Sequence, residues 1–204
     1  LTPGDFMVED VVMAHDSRSI VYSANTGSDK DDIDRRHLFK VPVDAARPVA
    51  LTAGTGIQTS PSVAGSGAIA YIDAGAQRPP GVTVMQANGS GQRALQPELL
   101  PKDFPTAQLV VPRLVSFKAA DGTLIHGQLF QGKDARNQPG MIFVHGGPPR
   151  QMLLGWHYMD YYSNSYAVNQ YLATHGFTVL SVNYRLGIGH GHAFHNPPQA
   201  GPAG

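Results

Sequence analysis

Short strand-length runs rich in apolar residues, broken by polar and turn-forming ones, fill the first half of the chain. Segments 19–24, 37–43 and 48–52 each have strand length and are set apart by polar or turn-forming residues. The pattern returns at 67–72, 81–85 and 92–95. Tyr22 and Tyr71 lie 49 residues apart, and the turns before them, Asp16-Ser17-Arg18 and Gly65-Ser66-Gly67, keep the same offset. A period of about 40–50 residues with about four short strands per unit is the signature of propeller blades. Residues 1–97 are therefore read as the last blades of a β-propeller, with a sandwich of hairpins as the all-β alternative.

Residues 98–108 are read as a linker, because Pro97, Pro101 and Pro105 crowd a stretch without periodicity. Beyond it, 114–118 and 124–130 flank the turn Asp121-Gly122 and predict a hairpin. The grammar then changes. Met141-Ile142-Phe143-Val144 is a continuous apolar run, expected to be a strand buried on both faces. A helix is predicted over 164–175, with Ser163 or Asn164 as N-cap, Val168 and Leu172 as an apolar pair, and Gly176 ending it. Segment 177–182 is the next buried strand. Strand, helix and strand at this spacing imply a right-handed parallel crossover. Residues 109–204 are thus read as the start of an α/β domain, which makes the fold class mixed.

Composition removes several function classes. Lys+Arg and Asp+Glu both number 15, so nothing attracts the chain to nucleic acid or an anionic membrane surface. The absence of cysteine excludes disulfides, thiolate nucleophiles and thiolate-held metals, and leaves the compartment open between cytoplasm and periplasm or exterior. Charged residues make up 15% of the chain and hydrophobic ones 42%, against about 25% charged in ordinary domains, so a packed core is expected. No apolar run nears the about 18 residues needed to span a bilayer, and Leu1-Thr2-Pro3-Gly4 carries no leader pattern. The chain opens without Met and is read as a piece of a longer product.

Candidate chemistry gathers in the second half. His145-Gly146-Gly147-Pro148 directly follows the 141–144 strand, where α/β-hydrolases place the loop that helps build the oxyanion hole. Glycines let backbone N–H groups turn toward a developing alkoxide; the plain alternative is an ordinary tight turn. Asn183-Tyr184-Arg185, followed by Gly187, Gly189 and Gly191, stands at the end of the next strand, the edge where α/β sheets keep their ligand crevices.

Together, Val144-His145-Gly146-Gly147-Pro148, the helix end Tyr171-Leu172-Ala173-Thr174-His175-Gly176-Phe177 and Val182-Asn183-Tyr184-Arg185 resemble the start of the catalytic domain of the prolyl oligopeptidase family of serine peptidases. The resemblance implies a β-propeller before an α/β-hydrolase domain, which agrees with the blade-like first half. It implies that the backbones of Gly146 and Gly147 serve the oxyanion side and that Asn183, Tyr184 and Arg185 are the family's strand-end motif; these three, with Trp156 from its place after the oxyanion loop, are the candidate substrate-side residues. His145 stands where the dipeptidyl-peptidase branch has a tyrosine whose hydroxyl serves the oxyanion, so the chain is similar to the acylaminoacyl-peptidase branch. Leu186 replaces a usual Gly and His190 a usual Tyr. A nucleophile elbow needs Gly two residues either side of Ser, and no serine here has that setting. The implied protein is a peptidase fragment that lacks the Ser-Asp-His triad and is inactive alone, with 196–204 a poorly ordered loop. An esterase or lipase, or a non-catalytic propeller-type binding fragment, are the alternatives.

Other clusters weigh less. His190, His192 and His195 place three imidazoles within six residues, but no carboxylate stands near to orient them, so neither metal nor cofactor is assigned. Asp29, Asp31, Asp32 and Asp34 interleave with Lys30, Arg35 and Arg36 and are read as a solvated hairpin insertion rather than a calcium loop. Trp156, His157, Tyr158, Tyr161 and Tyr162 are read as packing before pocket. The expected partner is a peptide substrate. Unclosed strand edges also imply a homo-oligomer.

Overall fold

The computed structural model describes residues 1–132, 138–147 and 149–198. Pro148 of the His-Gly-Gly-Pro motif and residues 199–204 of the expected C-terminal loop lie outside the described residues. The chain forms two compact units, one of Leu1–Gly75 with Pro79–Phe104, the other of Ala76–Arg78 with Pro105–Gly204. Most regular structure is β-sheet, with few helices and no closed barrel among the described residues. No helix among them is long and apolar enough to cross a membrane.

Two four-stranded antiparallel sheets make the first unit. One runs in order through β1 (Val8–Met13), β2 (Ser19–Ala24), β3 (His37–Pro42) and β4 (Val49–Ala50). The other runs through β5 (Ile57–Val63), β6 (Ile69–Ala74), β7 (Gly81–Met85) and β8 (Arg93–Ala94). Alternation puts Val21, Leu38 and Leu51 from the first half together with Ile69, Tyr71 and Met85 from the second in one buried cluster. Tyr22, Ala24 and Val41 form another, against Phe6, Val8, Ile20 and Phe39.

β1 and β5 escape the sequence pattern because each is bulged, between Glu9 and Val12 and between Thr59 and Ser62. Asp10 and Ser60, 50 residues apart, take left-handed φ values of 46° and 53° at the two bulges. The Asp10 carboxylate then accepts from Ser60 N–H at 2.9 Å and Ser23 Oγ at 3.2 Å, which ties the two strands.

The Asp-rich segment is not a solvated insertion. Lys30–Asp34 is a 3-10 helix capped by Asp29, and Asp32, Asp34, Arg35 and Arg36 are buried. Opposite charges that looked like a wet face compensate one another. Asp32 accepts from Arg35 Nη1 at 2.9 Å and from Asp29 N–H at 3.0 Å, and lies 3.2 Å from His37 Nε2. Arg36 pairs with Glu9 on β1.

The second unit holds β9 (Arg113–Lys118), β10 (Leu124–Gln131), β11 (Gly140–Val144) and β12 (Thr178–Asn183) in the order β11-β12-β10-β9. β11 and β12 are parallel; the other pairs are antiparallel. β11 is not buried on both faces: it is one of the sheet's two edge strands, with Met141, Ile142 and Val144 exposed at 43%, 65% and 60%. α1 (Asp160–Thr174) packs on β12 and β10. It begins four residues earlier than predicted, from Met159 rather than Ser163 or Asn164, with Asp160 suited to the positive end of its dipole.

Nor do Val168 and Leu172 form the inner face of α1. Tyr162, Tyr166, Asn169, Gln170 and Ala173 do. Its most buried polar member, Gln170, exchanges hydrogen bonds with the Val110 N–H (2.8 Å) and C=O (2.7 Å). A four-residue helix, α2 (His192–His195), follows β12.

Candidate active site

The turn after β11 directs two of its carbonyls at tyrosine hydroxyls. His145 is 2% exposed, whereas Gly146 and Gly147 are exposed. Gly147 takes φ 62°, a conformation open to glycine at no steric penalty. Tyr184, the residue after β12, donates its hydroxyl to the His145 C=O at 2.9 Å. Tyr162, from the first turns of α1, donates to the Gly146 C=O at 2.5 Å. Among the described residues neither the Gly146 nor the Gly147 amide donates a hydrogen bond.

Three rings close the space behind the turn. His145 stacks on Tyr184, with centroids 4.5 Å apart and planes at 20°, and meets Tyr162 edge-on at 6.4 Å. Burial pushes the His145 imidazole below its ordinary pKa; the Gly146 carbonyl opposes this and the charge of Arg150 adds to it. Burial, then the neighbouring Tyr162, raises the Tyr184 phenol. Both groups are therefore neutral near pH 7.

The other sequence-derived site residues take different places. Asn183 is 1% exposed, and its whole amide is engaged with one residue: Oδ1 accepts from Met152 N–H at 2.7 Å and Nδ2 donates to Met152 C=O at 2.9 Å. Gln128 of β10 donates to the same carbonyl at 2.9 Å. The pair thus pins the buried 151–154 segment to the sheet. Arg185 reaches the β9–β10 turn and pairs with Asp121 at 2.6 Å. That contact, with help from Thr123, holds the Asp121 carboxyl well below the usual range. Trp156 is 8% exposed and packs on Tyr166 at 5.2 Å between centroids. His145, Gly146, Gly147 and Tyr184 are brought together, whereas Asn183, Arg185 and Trp156 contact Met152, Asp121 and Tyr166 instead.

Tyr162 belongs to this constellation, yet sequence reasoning left it in a packing cluster. Its hydroxyl meets a carbonyl 16 residues away in sequence, which no local spacing signals. The three-imidazole segment also resolves into separate roles. His190 stacks on His126 of β10 at 3.9 Å, and His195 Nδ1 lies 2.9 Å from the Leu186 C=O. Among the described residues no group of three or more His, Asp or Glu is arranged to hold a metal ion. What the turn offers is two exposed glycines whose amides donate no hydrogen bond among the described residues, at the end of a parallel strand, a setting able to receive an anionic oxygen.

No family model and no curated protein matches the chain. Solved structures do. A puromycin-hydrolyzing peptidase from Mycobacterium tuberculosis matches with a TM-score of 0.73 at 19% identity, over 95% of this chain and 30% of its own. An acylaminoacyl peptidase from Pyrococcus horikoshii matches with a TM-score of 0.67 at 17% identity, over 94% and 27%. The chain spans less than a third of either structure. At these identities the likeness is one of fold: over nearly all its length, the chain shares the fold of part of two peptidases of the prolyl oligopeptidase family.

Proposed function

We propose that these residues are part of a serine peptidase of the prolyl oligopeptidase family. The first unit supplies blades of a β-propeller and the second the opening strands of an α/β-hydrolase domain. The observation that carries this reading is the fold likeness to two peptidases, which runs through both units. The up-and-down order of each four-stranded sheet and the repeated bulge at Asp10 and Ser60 support the first part. A His-Gly-Gly turn at the end of a parallel strand supports the second.

The chemistry is acyl transfer. A serine oxygen attacks the scissile carbonyl carbon, its proton passes to a histidine, and the carbonyl oxygen takes the negative charge. The Gly146 and Gly147 amides face that charge. The serine, histidine and aspartate come from parts of the peptidase beyond these residues, since no serine here has the flanking glycines of a nucleophile elbow. The chain by itself is inactive. On the substrate side, Arg185 offers a partly exposed guanidinium, while Asn183 and Trp156 act through the segments they hold.

His-Gly-Gly turns also serve esterases. Peptides are favoured because a propeller restricts access to oligopeptides. Intact mass of the protein from its native source, with and without a fluorophosphonate that tags activated serines, tests the reading. A species above 21.8 kDa that gains one adduct and cleaves peptide amides supports it. An adduct with ester hydrolysis alone makes it an esterase, and no adduct leaves a binding fragment.

A further inference from the structure

We infer that Tyr162 and Tyr184 are a positioning pair whose hydroxyls set the direction of the Gly146 and Gly147 amides. The inference rests on the peptidase reading for its role in catalysis, but its geometry stands on the turn itself. Among the described residues the backbone has no cis peptide bond. In a trans peptide the C=O of one residue and the N–H of the next lie in one plane and point in opposite directions. The His145 C=O therefore fixes the Gly146 N–H, and the Gly146 C=O fixes the Gly147 N–H. Tyr184 holds the first carbonyl at 2.9 Å and Tyr162 the second at 2.5 Å.

Two successive glycines need such ties. Without Cβ atoms their φ and ψ range widely, and a donor that wanders loses its value for a charge that develops at one point. The two hydroxyls come from different elements, one from α1 and one from the end of β12. Each peptide plane is thus anchored to a separate packed element rather than to the loop. His145 fills the gap between the phenols, stacked on one and edge-on to the other. Tyrosine phenols, of ordinary pKa about 10, are protonated donors near neutral pH, and burial moves Tyr184 further in that direction. Each hydroxyl is spent on a backbone carbonyl of the turn.

Removal of the hydroxyls alone tests this. In the full-length gene product, Tyr162→Phe and Tyr184→Phe keep ring packing and delete one hydrogen bond each. Each variant is expected to lower kcat about tenfold with KM within about twofold of wild type, and to weaken a peptide boronate, which forms a tetrahedral anionic adduct, by a similar factor. Unchanged kcat and boronate affinity in both variants overturns the proposal. So does a common fall of kcat, KM and melting temperature that a structural defect would give.

A second readout is independent of turnover. In the 15N-glycine-labelled full-length gene product, the Gly146 and Gly147 amide resonances should shift and broaden in each Phe variant; amides left unmoved by both changes refute the positioning. A wild-type protein that takes no fluorophosphonate and cleaves no peptide sinks the peptidase reading instead, and the resonances still decide the geometry.

Discussion

Leu186 keeps φ at 72° in a turn that closes from both sides: its N–H donates to the Phe194 C=O at 2.9 Å, and Gly187 N–H returns to the Tyr184 C=O at 3.1 Å. A left-handed conformation disfavours a leucine by about 1–2 kcal/mol, so the chain retains a turn shape here in spite of its side chain. The glycines around the site differ in what they require. A Cβ on Gly187 would lie 2.8 Å from the Arg150 C=O and 2.9 Å from the Tyr184 C=O. On Gly147 it would meet open space but a left-handed backbone, and on Gly146 only the Tyr162 hydroxyl at 3.9 Å. Alanine substitutions should therefore rank in order. Gly187→Ala destabilises by about 1–3 kcal/mol because backbone must move, Gly147→Ala by about 1 kcal/mol, and Gly146→Ala by less than about 0.5 kcal/mol. Urea unfolding of the three variants checks the ranking; a Gly146→Ala loss equal to that of Gly187→Ala would contradict it.

At the scale of elements, β11 presents Ile142 at 65% exposure on a sheet edge whose backbone can pair with another strand. Self-association of the chain is expected to run through this edge. Ile142→Lys should reduce it in light scattering at equal concentration, with the melting temperature unchanged; undiminished association would point to another surface. The same strand shows where sequence was a partial guide. β2 (Ser19–Ala24) and β7 (Gly81–Met85) were legible to the residue, because each is a short run of strand-forming residues bounded by turn residues. An apolar run such as 141–144 states only that a strand forms, not what covers it. β1 and β5 were hidden by bulges that break the alternation, and the start of α1 by a buried face built from tyrosines, Asn169 and Gln170 rather than aliphatic residues. Within the candidate site, His145, Gly146, Gly147 and Tyr184 were legible from their place after strands. Tyr162 was not, because its partner is reached only once α1 docks on the sheet.

For the whole molecule, the two units should answer acid at different pH. In the first unit, burial alone would raise the Asp32 carboxyl, but the Asp29 N–H, Arg35 and His37 outweigh it and lower the pKa. A carboxylate with a lowered folded pKa contributes its stability above the unfolded value of about 4 and loses it as pH falls through the folded value. The first unit should therefore hold until below about pH 4. In the second unit, burial lowers the pKa of both His126 and His145. The unfolded chain then binds protons that the folded unit refuses, so stability rises with pH across the gap. It is fully present above the unfolded histidine value of about 6.5 and declines below it. The single tryptophan, Trp156, is buried in the second unit and reports on it alone. Its fluorescence midpoint in urea should fall between about pH 7 and about pH 5, while the circular-dichroism change of the first unit stays at constant urea until below about pH 4. A Trp156 midpoint that is flat from about pH 7 to about pH 5 would mean that the two buried imidazoles accept protons as readily folded as unfolded.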